Sequence, residues 1–242
     1  MITASLVQAA TARALASGAL QPIAAQTELI DGFVVRAAST MAAKAAAPPR
    51  ADPLGDYEPD LFLGDVGSAH YALLNKFPVV PNHLLLVTRR FAPQEELLDA
   101  ADFAALAAVM AELDWLAFYN AGRDAGASQA RKHLQLAPAG VPLEPLITRG
   151  ALPFRHAVAS LPRLDAMHDV YRALIAPWAR APYNLLATRR WMLVVPRRQA
   201  RYESLSVNAL GFAGSLLVRN SAELESVRRA GPMNVLRAVT LE

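Results

Sequence analysis

Asn120-Ala121-Gly122-Arg123-Asp124-Ala125-Gly126-Ala127-Ser128-Gln129-Ala130-Arg131-Lys132-His133-Leu134-Gln135 runs from a glycine-bearing turn straight into a strand that carries a histidine and a glutamine two residues apart. Polar and apolar residues alternate from His133 to Leu136, so His133 and Gln135 share one face of that strand, and Lys132 can join the opposite, apolar face only through its aliphatic stem. A turn of this kind can aim backbone N–H groups at an anion, with Ser128 and Gln129 adding donors. A phosphate held there would lie beside the His133 imidazole, a group able to attack phosphorus. Taken alone, a histidine so placed is more often structural than reactive, and a glycine turn is more often only a turn.

Outward from this stretch, residues 101–119 carry Phe103, Leu106, Val109, Met110, Leu113 and Leu116 at three- and four-residue steps, the period of a helix burying one face. Residues 70–76 and 83–88 read as neighbouring strands of one sheet, separated by a segment whose prolines forbid continuous pairing. The alanine-rich opening predicts an amphipathic helix over about residues 3–20, Phe33-Val34-Val35 a strand, and residues 48–59, dense in proline, glycine and aspartate, a loop. In the second half the patterns predict strands at 155–159, 183–188, 191–195 and 211–219, and helices at 164–178, from Ala222, and after Gly231-Pro232. Helices and strands interleave without a strand-helix-strand period, which favours an α+β fold over a doubly wound sheet.

Composition bounds the class. Of 242 residues, 54% are hydrophobic and 19% charged, enough apolar surface for a substantial core. The formal charge of +3 suits phosphate-bearing ligands and is too small to argue for nucleic acid. With no cysteine, disulfides, cysteine-based zinc sites and thiol nucleophiles are all excluded. Asp102, Glu112 and Asp114 interrupt the richest apolar stretch, so no membrane span is expected, and the N-terminus lacks the basic and apolar regions of a signal peptide. A cytoplasmic protein is the expectation.

The run Gly126-Ala127-Ser128-Gln129-Ala130-Arg131-Lys132-His133-Leu134-Gln135 resembles the signature Gly-Ala-Ser-Gln-Pro-His-Lys-His-Leu-Gln of the ATP adenylyltransferases, or diadenosine tetraphosphate phosphorylases, of the histidine triad (HIT) superfamily. The segments 74–88, 183–192 and 206–215 are similar to further blocks of that family, in the same order. The resemblance implies a single HIT-like catalytic domain over residues 1–242, built on a mainly antiparallel sheet flanked by helices. It implies phosphorolysis of diadenosine tetraphosphate to ADP and ATP through an adenylyl-histidine intermediate. On it His133 is the nucleophile and Gln135 the donor to the phosphoryl oxygens. Lys44, Asn75, Lys76, Asn120, the loop of Gly126, Ala127, Ser128 and Gln129, and the segment of Asn208, Ala209, Leu210, Ser215 and Arg219 are nucleotide or phosphate contacts. Lys76 and Arg219 are expected to face the polyphosphate from opposite walls. The partners implied are diadenosine tetraphosphate, ATP, ADP and phosphate, with neither nucleic acid nor membrane. No tightly bound cofactor is expected, magnesium only in company with the nucleotide.

The chain departs from the pattern at Ala130, where the family has proline, and at Arg131, where it has the first histidine. In the family it resembles, that position orients the nucleophile largely through its main-chain carbonyl, which an arginine can supply as well as a histidine; the guanidinium is then expected to meet phosphate or point to solvent. Two alternatives stay open: another HIT-type transferase or hydrolase of dinucleoside polyphosphates, and a noncatalytic adenine-nucleotide binding protein. His83 is read as lining the adenosine pocket or as a core histidine. His70, His156 and His168 lack metal-ligand spacing, and Trp178 and Trp191 are read as packing residues.

Overall fold

A computed structural model describes residues 1–38 and 51–241. The strand carrying His133, β7 (His133–Ala137), lies inside an eight-stranded antiparallel sheet. Its strands are β3 (Phe62–Val66), β4 (His70–Leu74), β5 (Leu84–Thr88), β6 (Leu116–Ala121), β8 (Ala157–Ser160), β9 (Tyr183–Ala187) and β10 (Trp191–Pro196). Their spatial order is β3-β4-β5-β7-β6-β9-β10-β8, so strands from both halves of the chain share one sheet. A second sheet sets β2 (Phe33–Ala38) between antiparallel β1 (Ala25–Ile30) and parallel β13 (Ser215–Val218), joining the start of the chain to its end. A short hairpin, β11 (Arg201–Tyr202) with β12 (Leu205–Ser206), completes the strands of the described residues.

The large sheet divides the core. Leu134 and Leu136 of β7, Leu84 and Leu86 of β5, and Ala117 and Tyr119 of β6 face a layer holding α1 (Ala4–Ala16), α2 (Ala100–Glu112) and α4 (Met167–Ile175). Leu116 and Phe118 point the other way, into a second core shared with β2, β13, α3 (Glu144–Thr148), α5 (Ala209–Ala213), α6 (Ser221–Ala230) and α7 (Pro232–Ala238). The alternation of β7 therefore puts His133 and Gln135 on the face turned toward the smaller sheet. The helices form as the sequence allows. In α2, Asp99 and Asp102 make a reciprocal capping box, and Phe103, Leu106, Val109 and Met110 are buried, each contributing roughly 1.5–3 kcal/mol over exposure.

Three expectations are corrected. The helix expected over 101–119 stops at Glu112: Leu113 is already extended, and Leu116–Ala121 is strand β6. Every residue of β6 is buried, and a strand covered on both faces is a continuous apolar run that the three-and-four count cannot separate from helix. The strand expected over 211–219 is instead α5 followed by β13, divided at Gly214 in the left-handed region. The N-terminal helix ends at Ala16 rather than near residue 20. The loop expected over 48–59 falls partly outside the described residues; its described part has no strand.

Candidate active site

His133 is held from three directions. Its main-chain N–H donates to Gln94 Oε1 at 2.8 Å, its carbonyl accepts from Gln94 Nε2 at 3.2 Å, and Nδ1 lies 2.8 Å from the Arg131 carbonyl. A carbonyl only accepts, so Nδ1 carries the proton, and the lone pair resides on Nε2, which has no protein partner among the described residues. Burial holds the imidazole below the ordinary histidine pKa, opposed by the Arg131 carbonyl. The outcome is a neutral imidazole with its nucleophilic nitrogen free.

A second chain of bonds fixes Gln135. Asn75 Nδ2 donates to His83 Nδ1 at 3.0 Å, so His83 must donate through Nε2, and that nitrogen lies 2.9 Å from Gln135 Oε1. The Gln135 oxygen is thereby occupied, leaving its NH2 group for the cavity. Burial lowers His83 to about 4, which keeps the relay in the neutral form it requires. Of the two readings of His83, it lines the cavity, bonded to two side chains.

The loop before β7 rests on a buried polar scaffold. Gly126 has φ 90°, and a Cβ there would meet the Val207 carbonyl at 2.5 Å, so both the backbone conformation and the close approach demand glycine. Asn120 Oδ1 accepts from Ala209 N and Asn184 Nδ2, each at 2.8 Å. Arg197, buried with its pKa pulled down to about 9 by desolvation, donates to Asn184 Oδ1 and to the carbonyls of Ala125, Val207, Gln199 and Val239. One guanidinium thus ties the loop to the segments on either side of it.

A cavity of about 470 Å³ opens between the two sheets. His133, Gln135, Asn75, Lys76, Asn120, Gly126, Ser128, Gln129, Asn208, Leu210 and Ser215 all line it. Three expected contacts are placed elsewhere. Ala127 is in the loop but off the lining, Ala209 is fully buried with its N–H on Asn120, and Arg219 is bound to Glu223 and the Ser204 carbonyl. Arg219 therefore does not form the expected wall opposite Lys76: Glu223, at i+4 on α6, captures it. Lys76 lines the cavity but donates to Glu58 at 2.5 Å. Lys44 lies outside the described residues.

Sequence reasoning passed over several residues. Gln94 clamps the backbone of His133, and Arg36 of β2 lines the cavity. Lys132 buries its ammonium as well as its stem, donating to Asp102 Oδ2 at 2.8 Å and to the Leu97 carbonyl, while His70 meets the other Asp102 oxygen at 2.8 Å. The Arg131 guanidinium lies off the cavity lining and is only partly exposed. It grips the Asp52 carboxylate with Nε and Nη2, at 2.9 and 2.5 Å to Oδ2, and donates to the Thr88 carbonyl. Nothing in the pattern around residue 52 signals that partner. Trp191 packs in the second core and Trp178 against the first, both away from this cavity.

The family model described as the Ap4A phosphorylase N-terminal domain matches residues 2–160, and that of the ATP adenylyltransferase C-terminal domain matches residues 150–242. Diadenosine 5',5'''-P1,P4-tetraphosphate phosphorylase 2 of Saccharomyces cerevisiae is 30% identical over 231 residues, covering 73% of this chain and 71% of its own. Protein APA1 of the same yeast is 29% identical, with 70% and 69% covered. Among solved structures, yeast Ap4A phosphorylase Apa2 in complex with Ap4A matches with a TM-score of 0.83 at 25% identity, over 98% of this chain and 96% of that one.

Proposed function

This chain belongs to the Ap4A phosphorylase family, and we propose that it works through His133 as a covalent nucleophile. The activity is that of a nucleotidyltransferase, phosphorolysis of diadenosine tetraphosphate to ADP and ATP. In the first half-reaction His133 Nε2 attacks the α-phosphorus of the dinucleotide. An N–P bond forms, the bridging P–O bond breaks, and its electron pair departs with ATP. In the second, an oxygen of inorganic phosphate attacks the same phosphorus, the N–P bond breaks, and ADP leaves with the imidazole restored.

The observation that carries this reading is the bond from His133 Nδ1 to the Arg131 carbonyl, which leaves Nε2 unprotonated at the cavity. The same carbonyl stabilises the cation that forms on the ring as Nε2 bonds to phosphorus. The Gln135 NH2, aimed by His83, serves the nonbridging oxygens as charge builds there. An amide cannot deliver a proton, and a polyphosphate leaving group is already a stable anion, so little acid assistance is needed. The Gly126 loop with Ser128 and Gln129 supplies further donors. Among the described residues no group of three or more His, Asp or Glu side chains could hold a metal. Magnesium, where the nucleotide brings it, would be held mainly by the polyphosphate oxygens and would offset their charge.

Incubation with diadenosine tetraphosphate, with and without phosphate, tests the reaction. ATP and ADP should appear together, and only when phosphate is present. AMP and ATP formed at the same rate without phosphate would make the enzyme a hydrolase.

A further inference from the structure

The cations around the cavity are not equivalent. Lys76, on the lining, is paired with Glu58, and Arg219, held off the lining, with Glu223. Among the described residues, Arg36 is the exception. It projects from the middle of β2, paired in register with Leu217 of β13, and its half-buried guanidinium lines the cavity. Among the described residues that guanidinium donates to the Ser215 hydroxyl and meets no carboxylate. An arginine stays charged at neutral pH and offers five N–H donors, of which this one bond engages one. Ser215, having accepted from Arg36, keeps its own O–H to donate. Together they present a fork of charged donors and a hydroxyl on the smaller sheet, on the wall facing the strand that bears His133.

We propose that Arg36, with Ser215 beside it, forms a phosphoryl-anion subsite in this cavity. It holds either a phosphate of the dinucleotide's polyphosphate chain or the inorganic phosphate that accepts the adenylyl group. The proposal rests on the phosphorolytic reading above. Planar guanidinium donors match phosphoryl oxygens in bidentate fashion, and in a half-enclosed cavity such a contact is stronger than on open surface. Leaving a partly desolvated cation without a carboxylate makes sense where the ligand brings the negative charge.

The test is calorimetric titration of ATP, inorganic phosphate and adenosine into the wild type, Arg36→Met, Arg36→Lys and Ser215→Ala, none of which depends on turnover. Arg36→Met should weaken ATP or phosphate binding by tenfold or more while adenosine binding stays within twofold, and Arg36→Lys should recover part of the loss. Loss confined to inorganic phosphate, with a matching rise in its KM, assigns the acceptor; loss on ATP, with a rise in KM for the dinucleotide, assigns the chain. Binding of both anions within twofold of wild type in Arg36→Met overturns the proposal, as does an equal loss for adenosine. If Arg36→Met fails to fold, Arg36→Lys decides: an anion affinity unchanged from wild type, or an adenosine affinity reduced equally, refutes the subsite. A wild type that binds ATP through Arg36 but gives no phosphorolysis would refute the reaction and leave the subsite standing.

Discussion

Asp52→Asn should raise KM for the dinucleotide by about 5–30-fold and leave kcat within about threefold. Asp52 opens the segment that supplies Pro53, Leu54, Tyr57 and Glu58 to the cavity wall. That wall is held by the Arg131–Asp52 pair, the Tyr71 hydroxyl on the Leu54 carbonyl at 2.7 Å, the Lys76–Glu58 pair, and the packing of Tyr57 against Phe62 and Tyr71, among other contacts. The Arg131 guanidinium also holds the Asp52 carboxyl below the usual range. A charge-assisted bidentate pair is worth about 1.5–3 kcal/mol, and with the two side chains 11% and 29% exposed, about 1–2 kcal/mol remains. If the wall must close before nucleotide binds, that energy converts at 1.36 kcal/mol per decade to the stated range. The chemistry is spared because His133 is positioned by Gln94 and by the carbonyl of Arg131, not by its guanidinium. Arg131→His should show the same rise, and the double variant no more than either single. Gly55→Ala, whose Cβ would fall 2.4 Å from an Asp52 oxygen and 2.7 Å from Arg131 Nη2, should reproduce it by a different route. Steady-state kinetics on the cycle decides; additive effects, or a kcat loss at unchanged KM, would refute the reasoning.

Gly126→Ala should reduce nucleotide affinity at least tenfold and lower the melting temperature, since the added methyl meets backbone rather than a yielding side chain. Asp102→Ala should cost about 3–5 kcal/mol in denaturant unfolding, because it leaves the buried Lys132 ammonium without its carboxylate. His83 is depressed to about 4 in the folded protein against about 6.5 unfolded, so the unfolded chain takes up the proton first as pH falls. Its stabilisation is therefore complete above pH 6.5 and declines by about 3 kcal/mol on going to pH 4, seen in urea titrations across that window and absent from His83→Gln. For the same reason the acid limb of kcat/KM, set by His133, should lie below the ordinary histidine pKa.

The local signal around His133 was legible because a glycine turn, a phosphate-facing loop and an alternating strand are all short-range features. His133, Gln135 and the lining residues of that loop are found where the pattern put them. What escaped were contacts across long separations. Arg131 meets Asp52, 79 residues away, and His133 is clamped by Gln94, 39 residues away, with no periodicity to link them. Arg219 shows the converse error: a cation matched to a motif position is withdrawn from the cavity by a carboxylate one helical turn further on. The merging of α2 with β6 has a similar root, since a strand buried on both faces loses the alternation that would have marked it.

Trapping the covalent intermediate tests the central claim. Enzyme mixed with diadenosine tetraphosphate without phosphate, quenched in base because an adenylyl-histidine is acid-labile, and mapped by mass spectrometry should carry one AMP on His133, with one equivalent of ATP released. Adding phosphate should discharge the adduct as ADP, and His133→Ala should bind nucleotide yet form no adduct. An adduct on another residue, or turnover surviving in His133→Ala, would contradict the account.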